Sequence, residues 1–521
     1  MAKSVSFGKV ELVASTEPMG IPARPDPGMP FQIAVLGDFS GRANRGVVET
    51  GAKLSGRKPI RIDRDNFDET MARLNVGLRV PIADDDRAGV VLQFKGLDDF
   101  HPDRIFAHSP AFHSLKEIRH KLNNPKTFEA TAAALRAQAG PAQGPQPAAA
   151  ATPTPTPTAA PPPADGDWLA QILGATQVRA PEPARGADPW VSLMKEIVAP
   201  YVVARTDPRQ PELVASVDDT TSRLLRKILH HPDFQALEAA WRGLFFLVRR
   251  LEADSQLGIF LIDVSKDELA ADLASTDDPH STATYKLLVD STVNTPGGKP
   301  WAVLALDATF EPTEADVEIL GRLATIARFA GAPVLAGASP HAAGCDSFAE
   351  APDPGDWRRP LSANERGAWA TLRRHDAAYY LGLALPRFLL RLPYGAQDSP
   401  LESFAFEELT ADPKHDDYLW GNPAFALAEL LGRSFLASGW DLRPGRIDEI
   451  DGLPVHVRRF DGDSEAKPCA EVILSHRAAE TLLERGLIPV LSVQNRDAIR
   501  LGGFLSVAEG SRPLAGRWRS P

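Results

Sequence analysis

Residues 301–336, WAVLALDATFEPTEADVEILGRLATIARFAGAPVLA, hold apolar runs at both ends and helical periodicity between them. The run 301–306 reads as a buried strand. Val317, Leu320, Leu323, Ile326 and Ala327 then recur at spacings of three and four residues, and Thr313 stands where a helix N-cap belongs. Residues 333–336 form a second short apolar strand. Strand, helix, strand in this order points to an α/β layer whose parallel strands are covered by helices.

The same grammar extends upstream. His230, His231 and Pro232 open a helix predicted to run to about Arg250, with Phe234, Leu237, Trp241, Leu244, Phe245 and Val248 on one broad apolar face. Residues 258–264, GIFLIDV, read as a strand, and Ser265 and Glu268 stand at capping-box spacing before a further helix. Downstream, from about Leu453, strand candidates at 454–457, 469–474 and 487–493 suggest a small terminal subdomain.

Near the start, residues 31–36, FQIAVL, read as a buried strand that feeds the turn 37–42, GDFSGR. Val90, Leu92 and Phe94 alternate with Val91, Gln93 and Lys95 in a second strand, and residues 114–122 supply a short helix. The expectation is a small α+β or α/β module with one modest core. Between the two halves, residues 139–166, AGPAQGPQPAAAATPTPTPTAAPPPADG, offer almost no large apolar side chain to offset the entropy of ordering them. At roughly 3 Å per residue, a polyproline-like linker of about 28 residues reaches up to about 80 Å. The expected organisation is an N-terminal arm (1–29), a small domain (30–138), the linker (139–166), a large domain (167–452) and a C-terminal subdomain (453–521).

A chain of 521 residues exceeds one ordinary core, and its 43% hydrophobic and 24% charged content suits a folded, soluble protein. The net charge of -11, from 57 Lys plus Arg against 68 Asp plus Glu, argues against a wide nonspecific nucleic-acid surface. With only 2 cysteines, Cys345 and Cys469, both a disulfide scaffold and a four-cysteine metal site are excluded by count. No signal-peptide pattern opens the sequence and no apolar run reaches about 18 residues, so neither export nor membrane insertion is expected and the cytoplasm is the simplest compartment.

Enzyme chemistry finds little footing. The turn 37–41 lacks both GxxxxGK[ST] and GxGxxG, and in the run 295–300, TPGGKP, the lysine precedes a proline and a strand rather than a phosphate-cradling helix. His230 and His231 are adjacent at a helix start and cannot share one face as an HExxH pair does. His375 and Asp376 diverge in the same way. Cys345 has only His341 nearby, without an orienting third group. Asp98 with Asp99, Glu407 with Glu408, and Asp416 with Asp417 read as solvated surface, because sequence neighbours say little about opposed acid and base. The face around Trp241 is explained by core packing. No catalytic, cofactor-binding or metal-ligating residue is assigned.

Other segments are more specific. Residues 379–395, YYLGLALPRFLLRLPYG, precede 402–408, ESFAFEE, and 418–424, YLWGNPA. Together with 241–244, WRGL, the turn 295–300 and 452–456, GLPVH, they closely resemble the large contractile-sheath subunit of type VI secretion systems over roughly residues 190–510. Residues 35–42, VLGDFSGR, 62–68, IDRDNFD, and 94–102, FKGLDDFHP, separately resemble the small sheath subunit over about 30–128. The order looks like a fusion of small and large sheath proteins.

The resemblance implies a contractile tail-sheath-like fold, with a small N-terminal module, a larger mixed α/β module and a C-terminal subdomain. It implies a non-enzymatic structural protein that polymerises with itself into a helical sheath around an inner-tube protein, meets baseplate components, and is dismantled by an ATP-driven unfoldase. In that family, exchanged strands link protomers and contraction repacks them as rigid bodies. Candidate structural or interface residues are Asp38, Arg42, Phe67, Phe94, Trp241, Arg242, Arg387, Arg391, Trp420 and Asn422, and Lys299 is a further ion-pair candidate. The segment 491–504 departs from the family pattern, and the first module ends soon after Phe128. These departures keep in play a non-contractile scaffold or a baseplate or cap adaptor; a soluble α/β enzyme is motivated only by strand-helix alternation.

Overall fold

The computed structural model describes residues 25–26, 28–81, 89–124, 126–139, 210–460 and 463–518. Nearly all of the expected N-terminal arm and linker lie outside these residues, as does the stretch 167–209.

Along the chain the strands are β1 (Phe31–Gly37), β2 (Ile60–Ile62), the hairpin β3 (Val76–Pro81) and β4 (Gly89–Phe94), β5 (Leu257–Asp263), β6 (Val303–Phe310), β7 (Val334–Ala338) and β8 (Leu381–Leu385). They continue with β9 (Phe388–Leu389), β10 (Trp420–Gly421), β11 (Glu449–Ile450), the hairpin β12 (His456–Phe460) and β13 (Asp463–Lys467), β14 (Ile488–Ser492) and β15 (Ile499–Leu501). A 9-stranded sheet in the order β11-β15-β14-β8-β7-β6-β1-β5-β2 organises the molecule. The run β5-β1-β6-β7-β8-β14 is parallel, and antiparallel strands finish both edges.

Helices cover both faces, so β1 is apolar on both sides, as expected for a strand inside a parallel sheet. Phe31, Ile33 and Val35 enter one core with the helices Gln210–Leu229, Pro232–Arg250 and Pro423–Ser438. Ala34 and Leu36 enter the opposite core with the helices Lys266–Ala274, Glu314–Ala330 and Ala363–Arg374. Local signals placed the helices Pro232–Arg250, Lys266–Ala274 and Glu314–Ala330, while Gln210–Leu229, Ala363–Arg374 and Pro423–Ser438 were not anticipated. Thr313 caps Glu314–Ala330, and Ser265 with Glu268 completes a capping box.

The sheet changes the expected organisation. The first module has no core of its own: Phe67, Phe94, Phe112, Leu115 and Leu122 belong to the same buried cluster as Trp241 and Phe425. Its strand β1 is inserted between β5 and β6 of the second half. The residues expected as a terminal subdomain likewise extend the same sheet, because β14 pairs with β8. The strand expected at 469–474 does not form, and only Ala470 makes an isolated bridge, to Phe388.

Candidate functional site

The densest constellation of candidate residues lies where the two halves meet. After β1 the chain turns at Asp38, whose carboxylate accepts the Arg42 N–H at 2.6 Å and the Ala43 N–H at 2.8 Å. Asp263, at the end of the adjacent β5, accepts the Phe39 and Ser40 N–H groups, each at 3.0 Å. Arg42 reaches Glu49 at 3.0 Å and Asp263 at 3.3 Å, while Arg57 pairs with Glu268 at 2.6 Å. Burial alone would raise the Glu268 carboxyl, but the Arg57 guanidinium and backbone N–H groups outweigh it, so the group lies below the usual range. The bonds to Asp263 and Glu268 join residues more than two hundred positions apart in sequence.

Aromatic packing closes the same seam. Trp241 donates its indole N–H to the Phe39 carbonyl at 2.8 Å and meets the Phe39 and Phe67 rings edge-on at 5.3 and 5.5 Å. Phe94 stacks on Phe100 at 4.1 Å and faces Phe234 at 6.0 Å. The face of the Pro232–Arg250 helix is therefore the floor on which the first half rests.

A buried ion-pair network stands beside it. Arg391 reaches Glu238 at 2.8 Å and Glu408 at 2.7 Å, and Arg242 shares Glu238 at 2.7 Å. Arg242 also donates to the Tyr394 hydroxyl at 3.0 Å, and the Tyr394 N–H donates to Glu408 at 2.7 Å. Burial pushes Glu238 upward, yet the Arg391 and Arg242 guanidiniums more than offset it and keep the carboxyl below its ordinary value. Glu408, expected on a solvated surface, is instead 1% exposed. The correction has a plain cause: a bidentate arginine compensates its desolvation. Glu238 did leave a signal in the sequence, since it stands on the apolar helix face four residues before Arg242.

The remaining candidates also bind within the chain. Arg387 pairs with Glu471 at 2.5 Å and with Asp416 at 3.3 Å. Burial opposes ionisation of Glu471, but His415 and Arg387 pull its pKa down to about 2. Trp420 stacks on His415 at 5.0 Å. Asn422 caps the Pro423–Ser438 helix by accepting the Ala424 N–H at 2.9 Å and donates to the Ala308 carbonyl at 3.0 Å. Lys299 is exposed and outside this arrangement.

At the carboxyl ends of β1 and β6, where parallel sheets commonly hold ligands, a cleft of ≈ 240 Å³ is lined by Asp38, Asp233, Asp267, Asp307 and Lys266 among others. Asp307 sits where the β6 ladder slips between Ala305 and Thr309. Burial and the nearby Asp38 charge push it up to about 7. Lys266 is occupied by Asp316 at 2.7 Å and the Thr309 carbonyl at 2.9 Å. Elsewhere Ser339 and His341 both bond Glu311, each at 2.8 Å, so the glutamate does not orient the histidine toward the serine. Burial pushes the Cys345 thiol up, away from the thiolate. Among the described residues no group of three or more side chains suits a metal ion, and no helix is long and apolar enough to cross a membrane.

Two known families match successive stretches of the chain. Residues 211–508 match the family described as "VipB: EvpB/VC_A0108, tail sheath N-terminal domain". Residues 22–138 match the family described as "Type VI secretion system, VipA, VC_A0107 or Hcp2". The type VI secretion system sheath protein TssC1 of Pseudomonas aeruginosa is 37% identical over 293 residues, which cover 55% of this chain and 58% of that relative. The alignment thus spans little more than half of the relative's length. The chain belongs to the type VI secretion tail-sheath family, a structural and non-enzymatic one, and joins a VipA-type segment and a VipB-type segment in a single polypeptide.

Proposed function

We propose that this chain is a sheath subunit carrying VipA-type and VipB-type segments in one polypeptide, which polymerises in the cytoplasm around an inner tube and shortens to propel it. The observation that carries the reading is the position of β1. A VipA-type strand lies between β5 and β6 of the VipB-type segment, with Phe31, Ile33 and Val35 fully buried. The two segments therefore form one rigid body of the kind that can swing as a unit between two lattice packings. The seam residues Asp38, Arg42, Phe67, Phe94 and Trp241, with the Arg242 and Arg391 network, hold that body together. Arg387, Trp420 and Asn422 brace its β9–β10 corner. Baseplate components and an ATP-driven unfoldase are the further partners of this reading.

The test is to co-express the chain with its inner-tube partner and image the product by negative-stain electron microscopy. Tubules of regular diameter are expected. Persistent monodisperse monomers would overturn the proposal, and closed rings without filaments would replace it with a cap or adaptor role.

A further inference from the structure

The β3–β4 hairpin is a two-stranded sheet of its own, so β4 is paired on one side only among the described residues. Along it runs a groove of ≈ 500 Å³. Five consecutive residues, Val91 through Lys95, line this groove together with Arg104, Ile105 and His108 of the helix Pro102–His108. Alternate side chains of a strand point to opposite faces, so consecutive residues can line one groove only along the strand's edge.

The hydrogen-bond register identifies which backbone groups are available. On β3, Gly77 N–H turns away from β4 to the Ser40 carbonyl at 3.4 Å, and Arg79 N–H turns away to Asn44 at 2.7 Å. Their partners across the ladder are Gln93 and Val91. In an antiparallel ladder such residues form the non-hydrogen-bonded pairs, so Val91 and Gln93 direct their N–H and C=O groups to the free edge. Lys95, next in that row, has its N–H taken by Asp99 at 2.7 Å, which ends the open stretch. Val91 is 61% exposed, high for a large apolar side chain.

Among the described residues, two cationic side chains lining the groove, Lys95 and Arg104, stand against one carboxylate, Asp99, a net positive balance. Lys95, Arg104 and His108 are exposed and make no ion pair among the described residues, while Asp99 is occupied by the Lys95 and Gly96 N–H groups. We propose that this edge receives an extended acidic peptide segment of a partner polypeptide as a third strand. Its backbone pairs with Val91 and Gln93, and its carboxylates lie between Lys95, Arg104 and His108. The inference stands on the hairpin alone and does not depend on sheath assembly.

The probe is a fluorescein-labelled peptide of sequence Glu-Val-Glu-Ile-Glu-Val, titrated into the full chain by fluorescence anisotropy and by amide hydrogen exchange. Saturable binding is expected, with new protection at the Val91 and Gln93 amides but not at Leu92. The pair K95E and R104E, both on exposed side chains, should weaken binding by at least about tenfold, and N-methylation of alternate peptide residues should abolish it. The proposal is overturned if the lysine-for-glutamate peptide binds as tightly, or if Val91 and Gln93 gain no protection. It is also overturned if the edge is closed by a second copy, seen as a dimer that V91E converts to monomer.

Discussion

Arg391 lies between Glu238 and Glu408, and the three groups are 9%, 0% and 1% exposed. Removing the cation leaves carboxylates in a site that water cannot repair. Arg391→Met is expected to cost about 3–5 kcal/mol of unfolding free energy in urea, and adding Glu238→Gln and Glu408→Gln to it should restore more than half of that loss. A full cost in the triple variant would show that the arginine acts through packing alone. Asp307 has the opposite electrostatics, with a folded value near 7 against an ordinary 3.8. Its folded carboxyl prefers the proton, so its contribution is fully favourable below the unfolded value and is lost as pH rises through about 7. Asp307→Asn should therefore be more stable than the parent at pH 8, by about 2 kcal/mol after allowance for residual water contact, and no more stable at pH 4. Equal urea midpoints at both pH values would remove the basis for this account.

At the scale of elements, the critical contact is the close approach of the helices Pro232–Arg250 and Pro423–Ser438. A Cβ added at Gly243 would lie 2.4 Å from the Phe425 ring, which is itself 1% exposed and cannot move aside. Alanine is the better helix former by about 1 kcal/mol, yet overpacking costs about 1–3 kcal/mol. Gly243→Ala is expected to lower the thermal midpoint, and a rise would mean that the helices part without penalty. The same geometry explains why 241–244, WRGL, is a structural unit. Trp241 bonds the Phe39 carbonyl, Arg242 enters the buried network, and Gly243 admits Phe425.

For the whole molecule, the placement of β1 matters most. Without the first half, β5 and β6 would both present unpaired edges in the middle of a sheet, a ready template for aggregation. A chain beginning at residue 210 is therefore expected to be insoluble when expressed alone. A site-specific protease sequence inserted within residues 140–166 should, after cleavage, leave both fragments co-eluting on size exclusion until urea is added; separation in native buffer would show that the halves do not depend on each other. Much of this was legible beforehand. Apolar periodicity, Thr313, Ser265 and Glu268 identified some of the helices and several strands, because caps and amphipathic spacing are local properties of the chain, but the long helices Gln210–Leu229 and Pro423–Ser438 were missed. The families were legible too, in runs such as 379–395 and 35–42. The sequence by itself determined these elements and their kind. Only the tertiary structure decided that β1 sits between β5 and β6, that Glu408 is buried, and that Arg391 bridges two carboxylates. Those facts depend on which distant segments become neighbours, and neither the register of a parallel sheet nor the partner of a buried charge is written in the spacing of nearby residues.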